Sequence, residues 1–250
     1  MKQTLRYAFF DLDNTLYSQS CGLWQEIGNR INRYMVERLG IDPLEVGRRR
    51  DEFLKAFGTT LNALRRHYSV DPDEFLAFVH DIPLNRFIQP DPELDRMLAR
   101  LPLRKIIFTN ADAQHARRVL TRLGILRHFE CIIDIHLLEF VNKPDRRAYL
   151  KAMEFVSARP EECILIEDSL ANIVPAGKLG MVTVMVGGAP GRDGANHHIQ
   201  RITDLEKISD FGLNFQKPAT DCTDFTKDPQ SEGICGIREG DPSGKEGERW

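Results

Sequence analysis

Two aspartates two positions apart, Asp11 and Asp13 in FFDLDNTLY, stand directly behind the apolar run Tyr7 to Phe10. Carboxylates that close repel each other, and a divalent cation is the simplest remedy. Hard oxygen ligands with few protein donors suit Mg²⁺, which keeps several waters and usually meets a phosphate. In such a site Asp11 can attack phosphorus and form an aspartyl phosphate, while Asp13 can protonate the leaving oxygen and later take a proton from water. That chemistry spreads negative charge over the equatorial oxygens of the phosphoryl group, so hydrogen-bond donors and one cation must converge on it. Thr109 and Asn110 in IIFTNAD offer a hydroxyl, an amide and the backbone N–H groups of a helix start. Lys143, followed by Pro144, offers an ammonium, and Glu167 and Asp168 in ILIEDS offer a second carboxylate pair for the metal.

Singly, each of these has a commoner role. Thr-Asn after a strand is usually a helix cap, Lys-Pro a helix start and Glu-Asp a solvated loop. Their shared order and placement points to one site, because strand ends are where an open α/β sheet binds ligands. Five runs rich in β-branched or aromatic residues predict the strands: Tyr7 to Phe10, Lys105 to Phe108, Cys131 to Ile135, Cys163 to Ile166 and Val182 to Val186. Helical patterns lie between the later ones, over Gln114 to Leu123 and Arg146 to Phe155. Strand and helix in alternation predict βαβ crossovers and an α/β fold with a doubly wound parallel sheet.

The gap between the first two strands is different, with no strand signal and at least four helix signals. Leu23, Trp24, Ile27, Ile31, Tyr34, Met35 and Leu39 recur at helical spacing, and Gly40 closes that helix. Asp42-Pro43 predicts a second helix start with Gly58 as its stop, and Asp71-Pro72-Asp73-Glu74 repeats the start signal with a capping-box Glu. The expected organisation is a core over 1–17 and 88–212, an inserted helical cap over 18–87 and a disordered tail over 213–250. From Asn214 onward the 37 residues hold 5 Gly and 3 Pro, their aliphatics are almost reduced to Ile234 and Ile237, and their 8 acids and 5 bases account for the whole formal charge of -3. So little apolar surface cannot offset the entropy of ordering. Within the helical insert, Gly58-Thr59-Thr60 is small, polar and set between two helices, so Thr59 and Thr60 are candidates for contact with the substrate, the alternative being a plain helix cap.

Other features predict less. Arg48-Arg49-Arg50 and Arg65-Arg66 fit solvated helix faces, the Gly-rich stretch 187–194 fits a surface turn, and His197-His198 lacks partners at metal-ligand spacing. His115 follows the Thr-Asn loop, where it could approach a substrate, but a capping role at the helix start is the expected one. The near balance of 34 basic and 37 acidic residues gives no general attraction to a nucleic acid polymer or an anionic membrane. Five widely spaced cysteines without a CxxC pair suggest neither a disulfide framework nor a zinc site, which suits a cytoplasmic protein. No run approaches the roughly 18 apolar residues of a membrane span. Oligomeric state is not encoded in any of these patterns.

The four motifs DLDNT, FTN, NKP and EDSLAN resemble those of the haloacid-dehalogenase-like hydrolase superfamily, across residues 5 to about 212. That resemblance implies strand order 5-4-1-2-3, an Mg²⁺-dependent phosphatase working through an aspartyl phosphate, and a helical cap after the first strand. It also implies that Asp11 and Asp168 give the metal carboxylates and Asp13 its backbone carbonyl. Dehalogenases of the superfamily lack the second aspartate and need no metal. FFDLDNTLYS, FGTTLNAL, FVHDIPL, KIIFTNADAQHA and LLEFVNKPDRRAYLKA are further similar to the pyrimidine 5′-nucleotidase group of plants, fungi and bacteria. This implies a pyrimidine nucleoside 5′-monophosphate as substrate, with a sugar phosphate or phosphoglycolate as the alternative. A catalytically silent phosphate-binding protein is the rival from another class. Asn172 departs from the acid that many superfamily members carry there, and Glu167 in place of Asp suggests a metal contact through water.

Overall fold

In the computed structural model, which describes residues 5–187 and 194–208, six strands form one sheet. They are β1 (Tyr7–Phe10), β2 (Arg104–Phe108), β3 (Cys131–Ile133), β4 (Cys163–Glu167), β5 (Val182–Val186) and β6 (His197–Ile199). The order is β3-β2-β1-β4-β5-β6 and every pairing is parallel. This is the expected order of five strands with β6 added beyond β5. Nothing in the period of His197-His198-Ile199 marks a strand. The element pairs with β5, and Asn196 just before it accepts at Oδ1 from the Thr183 backbone N–H at 2.8 Å and hydroxyl at 2.9 Å.

Alternation along β1 explains its double Phe. Tyr7 and Phe9 face one side of the sheet and pack with Ile106, Phe108, Leu165, Tyr149 and Met153. Ala8 and Phe10 face the other and pack with Ile107, Ile166, Leu94, Met97, Val119 and Leu120. Both faces are covered, as a parallel sheet requires: α5 (Pro92–Arg100) and α6 (Ala113–Leu123) lie on one side, α7 (Arg146–Phe155) and α8 (Leu170–Leu179) on the other. The β3 run ends two residues earlier than expected. Asp134 turns the chain there, its carboxylate accepting from the backbone N–H of Ala113 and of Leu137, each at 2.9 Å.

Between β1 and β2 run α1 (Leu23–Glu37), α2 (Val46–Phe57), α3 (Thr60–Tyr68) and α4 (Pro72–His80). They bury a cluster of their own, with Tyr34, Met35, Leu61, Leu64, Phe75 and Val79 at its centre. Its ends are rooted in the main core: Leu23, Ile27, Ile82 and Leu84 pack with the sheet residues. Two local expectations need correction. Asp42-Pro43 forms a turn rather than the start of α2, because Asp42 accepts from the N–H of Leu44, Glu45 and Val46, delaying the helix. At α4, Asp71 caps the Glu74 N–H at 2.9 Å, but the Glu74 carboxylate faces the Tyr34 hydroxyl instead of returning to the cap. Gly58 does stop α2, at φ 74°, a left-handed conformation that costs glycine little. The proposed tail 213–250, Cys222, Cys235 and most of the Gly-rich stretch 187–194 lie outside the described residues.

Candidate active site

The parallel register brings the motif residues to one edge of the sheet. Phe10 is paired with Ile107 on one side and Ile166 on the other, so Asp11, Thr109 and Glu167-Asp168 leave neighbouring strands at the same level. The Asp11 N–H continues the ladder to Ile166 O at 2.9 Å. Asn14 then takes φ 65°, a conformation Asn tolerates better than most residues, and the chain turns back over the strand end. The Thr15 hydroxyl donates to Asp11 Oδ2 at 3.0 Å and the Tyr17 hydroxyl to Asp13 Oδ1 at 2.6 Å.

Lys143 reaches the same place from the loop before α7, its side chain wholly buried. The ammonium has three N–H bonds and uses all of them: Asp11 Oδ1 at 2.8 Å, Phe108 O at 2.8 Å and Glu167 Oε2 at 2.7 Å. Burial disfavours its charge, but Asp11 and Glu167 outweigh burial and hold Lys143 protonated. Its effect on a phosphoryl group is therefore that of a fixed charge. Asn110 positions this loop, since its amide accepts from the Lys143 N–H at 2.9 Å and donates to the Lys143 carbonyl at 3.0 Å. The buried Thr109 hydroxyl oxygen accepts from the Ala111 N–H at 3.0 Å.

Oxygens of Asp11, Glu167 and Asp168 lie within 4.8 Å of one another. One ammonium against three carboxylates leaves an excess of two negative charges when all are ionised. Burial and then the charge of Glu167 push the Asp11 carboxyl up to about 7, while burial and then Asp11 push Asp168 up to about 6. A hard divalent cation matches both the charge excess and the all-oxygen donor set, so these residues fit Mg²⁺. Glu167 is less free to ligate than its sequence position suggests: one oxygen accepts from Lys143 and the other from the Ser169 N–H at 3.2 Å.

Asp13 turns away from this cluster. Its Oδ1 lies 3.2 Å from His115 Nε2 as well as against Tyr17, and the His115 ring stacks on His80 with centroids 4.0 Å apart. His80 Nδ1 in turn meets Asp112 Oδ2 at 2.5 Å. Burial raises the Asp13 carboxyl, but the charge and hydrogen bond of His115 with the Tyr17 hydroxyl outweigh it, leaving Asp13 below the usual carboxylate range. Sequence patterns missed these contacts. Asp112 does cap the His115 N–H at 2.8 Å, yet the His115 side chain looks back at the strand end. The available signal was its place as the third residue of α6, where the first turn rises directly from the site. Tyr17, four residues after Asp13, carried a similar hint.

The Gly58–Thr60 turn meets the site from the helical side. A side chain at Gly58 would collide with the Asn142 amide beside the Lys143 carbonyl. Asn62 Nδ2 donates to Phe140 O at 2.9 Å and to Asn142 Oδ1. The Thr59 hydroxyl accepts from the Asn62 N–H at 3.2 Å, the helix-cap arrangement, and Thr60 is buried.

Residues 5–180 match the family model for haloacid dehalogenase-like hydrolases. The chain belongs to that family. It is 27% identical over 188 residues to Phosphate metabolism protein 8 of Saccharomyces cerevisiae, covering 69% of this chain and 59% of the relative. The chain thus spans about three fifths of the yeast protein. Over 200 residues it is 27% identical to the glyceraldehyde 3-phosphate phosphatase of Methanopyrus kandleri, covering 73% and 84% of the two chains. Among solved structures, an HAD phosphatase from Thermococcus onnurineus is similar with TM-score 0.59 and 21% identity, over 82% of this chain and 97% of that one. At that identity the likeness concerns the fold. Among the described residues no helix is long and apolar enough to cross a membrane.

Proposed function

We propose that the protein is an Mg²⁺-dependent phosphatase that hydrolyses a small phosphomonoester through a phosphorylated Asp11, with a pyrimidine nucleoside 5′-monophosphate as the preferred substrate. The observation that carries this is the buried Lys143 ammonium shared by Asp11 and Glu167 with Asp168 alongside, an oxygen-lined site with unbalanced negative charge at the strand ends. Phosphatase relatives among the similar proteins support the reaction class. The helical segment 18–87 serves as the cap, and the motifs FGTTLNAL and FVHDIPL within it support the choice of nucleotide. A cytoplasmic location accords with the free thiols of Cys21 and Cys163.

Asp11 and Asp168 would hold the metal by carboxylates and Asp13 by its carbonyl. When bound, Mg²⁺ supplies positive charge to non-bridging phosphoryl oxygens. An ionised Asp11 oxygen bonds to phosphorus as the bond to the ester oxygen breaks, and the departing oxygen takes its proton from Asp13. Asp13, ionised at rest, receives that proton from the monoanionic ester, whose second pKa is about 6. Asp13 then accepts a proton from water as the water oxygen attacks phosphorus and Asp11 is released as carboxylate. Lys143 favours the ionised form of Asp11 against burial and aims its carboxylate, Asn110 fixes Lys143, and Thr109 lies beside both at the strand end. Thr59 and Thr60 sit on the cap turn that faces the Lys143 loop, where the ester's leaving group would be sensed.

Initial rates of phosphate release from UMP, CMP, AMP, GMP, ribose 5-phosphate and phosphoglycolate, with Mg²⁺ and with EDTA, test this. The expected outcome is Mg²⁺-dependent release that is fastest for UMP or CMP. Faster release from ribose 5-phosphate or phosphoglycolate would assign the enzyme to sugar or glycolate phosphates, and no release from any would leave a phosphate-binding protein.

A further inference from the structure

The acid–base carboxylate has a support that the mechanism above does not use. Asp13 Oδ1 receives two contacts, from the Tyr17 hydroxyl at 2.6 Å and from His115 Nε2 at 3.2 Å, and no described residue donates to Oδ2. Two donors on one oxygen fix the plane of a carboxylate and leave the other oxygen as the one that exchanges a proton. His115 suits this task because its ring cannot rotate. It is wholly buried, its backbone N–H is tied to Asp112, and one ring face is covered by His80 at an interplanar angle of 18°. His80 and the turn after it are held at three points. Asp112 takes its Nδ1, and Arg118 donates at 2.6 Å to the His80 carbonyl and at 2.6 Å to the Ile82 carbonyl.

The other nitrogen of His115 selects the tautomer. Nδ1 is buried with no hydrogen-bond partner. Nε2 carries its proton in the cationic ring and equally in the neutral ring with a bare Nδ1; the opposite neutral tautomer would strand an N–H donor and set two acceptors, Nε2 and Oδ1, against each other. His80 closes α4, so the last residue of that helix braces a ring that touches Asp13.

We propose that His115 is a positioning residue for Asp13, donating from Nε2 to Oδ1 so that Oδ2 faces the ester oxygen, with His80 clamping the ring. This rests on the phosphatase assignment, since it concerns the group that protonates the leaving oxygen. Leaving groups provide the test. An alkoxide needs a proton to depart, whereas p-nitrophenolate leaves without one, and kcat/KM covers only the steps up to departure.

His115→Phe keeps the stacking ring and loses the donor. It should lower kcat/KM for an alkyl ester such as glycerol 2-phosphate by about 10²-fold and for p-nitrophenyl phosphate by less than about tenfold, within the range of acid–base contributions. His115→Gln, which places an amide N–H near the Nε2 position, should recover the alkyl ester to within about tenfold of wild type. Equal loss on both esters, or a Gln variant no better than Phe when both melt like wild type, would overturn the proposal. If His115→Phe does not fold, Tyr17→Phe removes the second donor on the same oxygen and should show the same selective loss; an unselective loss there also overturns it. Wild-type protein that hydrolyses neither p-nitrophenyl phosphate nor any alkyl ester of the panel above overturns the phosphatase assignment and this inference together, whereas wild-type hydrolysis without selective loss overturns only this one.

Discussion

At the strand ends, Lys143 and Glu167 are 0% and 1% exposed and their charges are neutralised within 2.8 Å, while in the helical segment Arg33–Glu37 and Arg48–Glu52 pair side chains that are 46% to 60% exposed. The two regions use charge for different ends. Buried charge is costly and persists only where every partner is present, whereas exposed pairs are screened and contribute little. The helical segment meets the core through packed Leu23, Ile27, Ile82 and Leu84 and through side chains on backbone carbonyls, with Arg118 on His80 and Ile82 and Asn62 on Phe140.

The sharpest way to break this contrast is to remove one cation from each region. Lys143→Met should abolish turnover and cost about 3–5 kcal/mol of stability, because it leaves Asp11 and Glu167 buried without their cation. Arg48→Met should stay within about 0.5 kcal/mol. Urea denaturation checks both, and similar costs would erase the distinction. Next in size, Asp13→Asn should leave the fold intact and lower kcat by about 10²–10⁴, the usual contribution of a proton-transfer group; an unchanged kcat would remove its acid–base role.

Asp11 and Asp168 titrate near 7 and 6 in the folded, metal-free protein and near 4 when unfolded, so between those values the folded state binds more protons. Their contribution to stability is full below about pH 4 and is lost as pH rises through about 7. Mg²⁺ binds only the ionised forms and restores it. Calorimetry should therefore show Mg²⁺ raising Tm by several degrees at pH 8 and far less at pH 5; equal shifts would place the metal elsewhere. The smallest effect belongs to the helical side. Thr59→Val removes the α3 cap, costs about 1 kcal/mol, and with Thr60→Val should change relative rates among substrates while sparing p-nitrophenyl phosphate. Equal loss on every substrate would take this turn out of specificity.

What was legible in the sequence follows the same division. The nearness of Asp11, Lys143 and Asp168 was legible because a parallel sheet sends the ends of its strands to one edge, whereas Asp13 turns from them toward His115 and Tyr17. The strand order followed from resemblance, and β6 escaped because three residues hold too little periodicity. His80, His115 and Asp112 come together from a helix end and a helix start more than thirty residues apart, and Glu167 meets Lys143 across two strands. Such pairings depend on tertiary packing that no spacing rule encodes. The Thr59 hydroxyl shows the limit most plainly: the sequence allowed both a cap and a contact, and the hydrogen bond to Asn62 satisfies the first without deciding the second.

The central claim is that Asp11 becomes phosphorylated, and rapid acid quenching during turnover tests it directly. Mixed with substrate and Mg²⁺, quenched within the first turnovers and digested, the wild-type protein should carry the mass of one phosphoryl group on the peptide containing Asp11, and Asp11→Asn should carry none and lose nearly all turnover. Phosphate release by the wild type with no phosphoryl group on that peptide, or with more than about a tenth of kcat retained by Asp11→Asn, would contradict the account.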